Sequence, residues 1–300
     1  MESDLYAFAH IYKCAGTTFK SILRRNFGTR HFDTGLLKDT RDFSAAQLRR
    51  VRWIFPNLTS IAGHEVRSYS DLRQDYPDIR FYTFLRKPEA RAVSAFRTKS
   101  ANRIARDGWR PETSAEVEKA LVEFLRLQKN KMCSVFAPGA GADEAIGRMD
   151  REFGFVGIVE EFDLSLSLFR DWTAIKDFDL RYRVLNTSHN RAAGHHHMRA
   201  FAAMIEGVDQ LITEVSRQTN VRDLLQEVTE SDRALYDFAV ARKFRARHAQ
   251  SAGAEKPVSH EDSSAPATAW PAHLHRGLIA RNLIPLVVRG VEPFRPADSR

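Results

Sequence analysis

A lysine, a glycine and two threonines lie close together at Lys13, Gly16, Thr17 and Thr18, in the stretch HIYKCAGTTFKSILRRNFG. A strand-like run at residues 5–11 leads into them and a helix-like run at residues 18–27 leads out. A strand, a tight turn and a helix start aim backbone N–H groups and the positive end of a helix dipole at one spot, which favours an anion. Gly16 lets the backbone come close, Thr17 and Thr18 add hydroxyl donors, and Lys13 adds a mobile point charge. An ordinary β–α turn with a surface lysine would use the same residues. The order differs from the nucleotide-triphosphatase loop, which ends Gly-Lys-Ser/Thr; here the lysine comes first and the glycine later.

A second set follows in RFYTFLRKPEARAVSAF, residues 80–96. The aromatic and β-branched run at 80–85 predicts a strand ending at Arg86. Pro88 suits the first turn of a helix running to about residue 101. Arg86 can fork onto a phosphate through two hydrogen bonds, and Ser94, two turns along, can donate one more. Taken alone, Arg86 could equally pair with a carboxylate and Ser94 could be a small packing residue.

These residues need elements to position them. Residues 7–11 read as a buried strand, and Phe19, Ile22 and Leu23 share one face of the helix that Gly28 stops. Ser44 can cap a helix over 45–55, and residues 60–63 form a short apolar run ending in Gly63-His64. Strand and helix thus alternate over the first hundred residues, which predicts an α/β fold with a mainly parallel central sheet flanked by helices. Thr113 to Glu116 reads as a capping box opening another helix. A strand at 155–159, a helix at 164–172, a short strand at 182–185 and helical segments around 199–205, 208–217 and 232–247 complete the reading. From residue 249 the chain turns rich in Ser, Ala and Pro, so the expected division is a domain at 1–248 and a flexible tail at 249–300.

The 300 residues carry a net charge of +8, which attracts polyanions or phosphorylated and sulfated small molecules. Arginine is spread along the chain, and no helix-turn-helix, zinc-finger or RNA-binding signature stands out, so nucleic acid is not the expected partner. Two cysteines, Cys14 and Cys133, build no disulfide framework. No run approaches the ~20 apolar residues of a membrane span. The start, MESDLYAFAH, lacks the basic and apolar regions of a signal peptide, so a cytoplasmic location is expected, with peripheral membrane contact left open. His195-His196-His197 reads as a solvated basic loop, because adjacent histidines rarely converge on one metal ion.

Together the two anion-binding sets resemble the sulfotransferases that use 3′-phosphoadenosine-5′-phosphosulfate (PAPS). That family's second motif has the form Leu-Arg-x-Pro-x-x-Arg-x-x-Ser, and here Leu85, Arg86, Pro88, Arg91 and Ser94 match it. The branch related to heparan sulfate 2-O-sulfotransferase and its bacterial relatives is the most similar. Its loop usually reads His-Ile-Pro-Lys-Thr-Ala-Gly-Thr-Thr, from which this chain departs at Tyr12 and Cys14. Gly63-His64, the stretch VGIVEEFDLSLSLF at 156–169, Asn186 with Ser188, and LYDFAVARKF at 235–244 resemble further segments of the family. The resemblance covers roughly residues 5–248.

The resemblance implies a P-loop-like three-layer fold and an O-sulfotransferase acting on a hydroxyl of a carbohydrate or glycoconjugate. It implies that the loop Lys13, Cys14, Ala15, Gly16, Thr17 and Thr18 holds the 5′-phosphosulfate, and that Arg86 and Ser94 hold the 3′-phosphate. Lys13 would also neutralise charge on the leaving phosphate. His64 would be the general base, since imidazole titrates near neutral pH, with Glu65 in reserve. His10 reads as a structural residue of the first strand. No metal is required. One rival is a non-catalytic polyanion-binding protein with a degenerate cofactor pocket. A weaker one is a small-molecule kinase, which lacks its Gly-Lys-Ser/Thr ending and an evident magnesium-binding aspartate here.

Overall fold

Small and apolar side chains on both faces mark Tyr6–Ala9 (β1), Ser60–Gly63 (β3) and Arg80–Leu85 (β4), the composition of parallel strands covered on both sides. A computed structural model describes residues 4–37, 41–183 and 199–251. In it these strands pair in parallel with each other, with His31–Asp33 (β2) and with Phe153–Ile158 (β5), in the order β2-β3-β1-β4-β5. Helices flank this sheet, the α/β architecture that the strand–helix alternation predicts.

The connections explain the helices. Gly16–Phe27 (α1) leaves the end of β1 and buries Phe19, Ile22 and Leu23. Ala45–Ile54 (α2) is opened by Ser44, whose hydroxyl accepts from the Gln47 amide while the Gln47 side chain reaches back, a full capping box. Leu72–Asp75 (α3) is a single turn before β4. Pro88–Asp107 (α4) starts at the expected proline and runs past residue 101 until Gly108, at φ +65°, ends it. Ser114–Arg126 (α5) begins at the expected capping box on Thr113. Cys133–Phe136 (α6), Ala142–Glu152 (α7) and Phe162–Thr173 (α8) surround β5.

Arg199–Val215 (α9) is one helix where the sequence reads two, because Gly207 is accommodated within it in open space. Thr219–Phe238 (α10) starts well before the expected residue 232. A π-helical stretch, Ala239–Phe244, and Arg245–Gln250 (α11) end the described chain. Tyr182 makes an isolated bridge where a strand over 182–185 was expected. Residues 184 and 185, Asn186, Ser188, His195 to His197 and the tail from residue 252 lie outside the described residues.

The core has two parts. Aromatic rings fill the sheet side, with Phe8 against Phe19 at 4.9 Å, Phe19 against Phe84 at 4.6 Å and Tyr82 against Phe169 at 4.8 Å between centroids. A second cluster, with Phe96, Leu121, Ile212 and Val221 at its centre, joins α4, α5, α9 and α10. Asp232 on α10 ties the two parts together. Fully buried, it accepts from the backbone amides of Met132 and Cys133 at 2.9–3.0 Å.

Candidate active site

Parallel strands place all their C-terminal ends at one edge of a sheet. The neighbours β3, β1 and β4 therefore deliver His64, the Lys13 loop and Arg86 to the same place. The chain leaves β1 toward β2 and leaves β4 toward β5, so the connections diverge between β1 and β4. Such a switch point opens a crevice where α/β sheets take ligands.

The loop in that crevice is strained. Lys13 at φ +69° and Ala15 at φ +55° are both left-handed without being glycine, at a cost of about 1–3 kcal/mol each. Strain of this kind persists only where the surroundings hold it, and it clusters at working sites. Here the Arg86 Nη1 donates to the Lys13 carbonyl at 3.4 Å, and the Lys13 ammonium donates to the Thr98 hydroxyl at 2.8 Å. Lys13, in the first motif, thus meets the second segment twice, at Arg86 through its carbonyl and at Thr98 through its ammonium. Ser94 lies one turn before Thr98 on α4 and accepts through its carbonyl from the Thr98 hydroxyl at 3.1 Å.

The other loop residues divide by environment. Thr17 is exposed at the start of α1 and Thr18 is buried. Cys14 is fully buried, burial pushes its thiol up to about 12, and its amide donates to the Ile11 carbonyl at 3.2 Å. Its contribution is the turn itself. Gly16 is required by a close approach: a Cβ there would come within 1.8 Å of the His10 ring. The sequence suggests that this glycine serves an anion; the close neighbour in the structure is an imidazole.

His64 follows β3 directly. Its Nδ1 lies 2.8 Å from the His10 carbonyl, which can only accept, so Nδ1 carries the proton and Nε2 keeps a lone pair in the neutral ring. Desolvation on its crowded side holds its pKa below the ordinary value, although the bond to His10 and the Glu65 charge push the other way. The residue as a whole remains exposed to solvent. Glu65 accepts from the Thr34 hydroxyl at 2.7 Å, and Gly63 is glycine because a Cβ would meet that same hydroxyl at 1.7 Å.

Two cavities open near this edge of the sheet, one reaching Tyr12 just before the loop and one reaching Arg86. One, of about 290 Å³, is lined by His10, Tyr12, His64, Arg67, Arg91 and Lys131 among others. The second, of about 610 Å³, contains Arg86, Arg97, Arg217, Arg222 and Arg233 with Glu89 as its one carboxylate. Glu89 pairs with Arg233, and Arg97 reaches Thr213 at 2.8 Å and Asp209 at 4.0 Å. The surplus of positive charge favours an anion here.

The model of the sulfotransferase family matches residues 2–239. The chain belongs to the sulfotransferase family. Membership makes it a sulfotransferase, an enzyme that moves a sulfuryl group to an acceptor. Among curated proteins none matches the chain. This sulfotransferase has, among its described residues, no helix long and apolar enough to cross a membrane and no cluster of ligating side chains able to hold a metal ion.

The structure brings Lys13, the loop, Arg86 and His64 to one sheet edge, as the sequence motifs suggest. Sequence reasoning passed over Thr98, one turn beyond Ser94, and the arginines of α9–α10. Thr98 was findable from helical spacing; Arg217 and Arg222 follow no motif and reach the site only through helix packing.

Proposed function

We propose that this sulfotransferase uses PAPS and sulfates a hydroxyl of a carbohydrate or glycoconjugate, by a mechanism in which His64 is the general base and Lys13 stabilises the leaving phosphate. The observation that carries this reading is the contact of Lys13, in the first motif, with Arg86 of the second, at the same sheet edge as a histidine whose Nε2 is unprotonated. The residues fit a nucleotide rich in phosphate. A strained loop lies at a helix start, and an arginine-lined cavity of nucleotide size opens next to it.

Lys13, Ala15, Gly16, Thr17 and Thr18, with Cys14 fixing the turn, hold the 5′-phosphosulfate. Arg86 and Ser94 take the 3′-phosphate, and Arg97, Arg217 and Arg222 deepen the positive field around it. Bound PAPS supplies a sulfuryl group, whose bond to the 5′-phosphate breaks as a bond to the acceptor oxygen forms, leaving adenosine 3′,5′-bisphosphate. His64 takes the acceptor's proton on Nε2, which its hydrogen bond to His10 leaves unprotonated. Lys13 faces the charge that grows as the phosphate leaves. The cavity beside His64, with Tyr12 as an exposed aromatic wall, receives the acceptor. Residues 1–248 form the sulfotransferase domain, followed by the tail, and the enzyme works in the cytoplasm.

Calorimetric titration with adenosine 3′,5′-bisphosphate beside ATP with magnesium tests the reading. The bisphosphate binds and Arg86→Ala weakens it roughly 10- to 100-fold, the loss expected for hydrogen bonds to a charged group. Binding of heparin without any binding of the bisphosphate would favour a polyanion-binding protein instead.

A further inference from the structure

His10 sits between the donor loop and the base, and its environment is unusual for a residue that only ends a strand. Its ring stacks on His64 with centroids 4.0 Å apart and planes at 22°. Phe8 lies nearly parallel to it as well, with centroids 5.6 Å apart. Its Nε2 edge overlies Gly16, close enough that any larger residue there would clash. The residue is 7% exposed, and its Nδ1 is buried with no hydrogen-bond partner. The ring nevertheless forms part of the wall of the cavity that also contains His64.

Those facts select a tautomer. A sealed N–H without an acceptor is the costlier arrangement, and orphaned buried donors are rare. The proton therefore belongs on Nε2, at the loop and cavity side, and the bare lone pair on Nδ1. Burial keeps the ring neutral, and the neighbouring charges of Lys20 and Lys13, with that of His64 whenever it is protonated, add to this while Asp33 opposes it. The two stacked histidines are then complementary: His64 carries its proton on Nδ1 and accepts at Nε2, while His10 donates at Nε2.

We propose that His10 is a second catalytic histidine, whose Nε2–H donates to an oxygen of the phosphosulfate group held by the loop, while its carbonyl fixes His64 in the form that accepts a proton. This rests on the sulfotransferase reading above and adds a role to a residue that reads as structural from sequence. It also gives a reason for Gly16: the loop needs glycine there so that the donor imidazole can lie against it.

The test combines a measurement on the resting protein with a variant series. Long-range ¹H–¹⁵N spectra of the ¹⁵N-histidine-labelled protein at neutral pH should show His10 as the Nε2–H tautomer and His64 as the Nδ1–H tautomer, assigned with His10→Gln and His64→Ala. An Nδ1–H His10, or a protonated one, would overturn the proposal. Turnover of PAPS to adenosine 3′,5′-bisphosphate, with water as acceptor, is then followed in His10→Phe and His10→Gln. Phe keeps a stacking ring and removes the donor; turnover should fall about 100-fold, the usual cost of one preorganised donor, with bisphosphate affinity changed less than about threefold. Gln carries an amide N–H where Nε2 sits and should recover at least tenfold over Phe. Equal turnover in wild type and both variants would make His10 structural. Failure of the wild-type protein to bind the bisphosphate at all would sink the sulfotransferase mechanism rather than the tautomer assignment.

Discussion

His64 can remove a proton only while it is neutral, and its surroundings decide over what pH range that holds. Desolvation keeps its pKa below the ordinary histidine value of about 6.5, so the neutral form prevails at and above neutrality. The sign follows: activity should be level from about pH 7 upward and fall on the acid side, with a midpoint under 6.5. His64→Ala should lower kcat by about 10²- to 10⁴-fold and abolish that acid limb, while the Kd of adenosine 3′,5′-bisphosphate stays close to wild type. A pH–rate profile for each protein, run beside the binding titration, checks both halves. An acid limb that survives in His64→Ala would assign it to another group. Glu65, held by Thr34, is the next to substitute.

At the scale of elements, the β1–loop–α1 unit places opposite demands on adjacent residues. Ala15 adopts a left-handed conformation that glycine would take without strain, so Ala15→Gly should raise stability by about 0.5–1 kcal/mol. Gly16→Ala would drive a methyl into the His10 imidazole and should cost about 1–3 kcal/mol by overpacking, together with most of the activity. Urea midpoints of the two variants, moving in opposite directions, check the pair. The same unit shows what sequence can reveal. Lys13, Gly16, Arg86 and His64 were legible because each follows a strand end that its own apolar run announces. The strand at 80–85 was found to the residue for the same reason. His31–Asp33 was missed because three mixed residues at a sheet edge have no period. Their pairing comes from β3, and Asp33 is held by Lys20 and Arg24, which reach across from α1. The segments around 199–205 and 208–217 merge across Gly207: a lone glycine in a helix costs ~1 kcal/mol, which the apolar contacts of Ile205, Val208 and Ile212 outweigh. Arg217 and Arg222 become visible only once α4 and α10 are packed together, whereas Thr98 lies one helical turn beyond Ser94 and is legible from spacing.

Across the whole molecule, buried histidines link folding to pH. His10 and His31 are both buried, and burial lowers the pKa of each. In the unfolded chain both take up protons as pH falls through about 6.5, whereas in the folded chain both stay neutral. Below that value the unfolded state therefore binds more protons, and stability falls as pH falls, by up to about 1.4 kcal/mol per pH unit for each histidine. Asp33, where burial is outweighed first by its contact with His31 and then by Arg24 and Lys20, adds a loss in the same direction at lower pH, where carboxylates titrate. A competing cause exists: the chain already carries +8, and protonating exposed histidines adds self-repulsion that also favours unfolding at low pH. Salt separates the two, because it screens surface charge and leaves burial untouched. The urea midpoint should decline from pH 7.5 to pH 5 at both 0.1 M and 1 M salt. His31→Gln, away from the active site, should remove a share of the slope, with His10 and His64 carrying the rest. A decline that vanishes at high salt, or that His31→Gln leaves unchanged, would place the acid sensitivity on the surface rather than at the buried histidines.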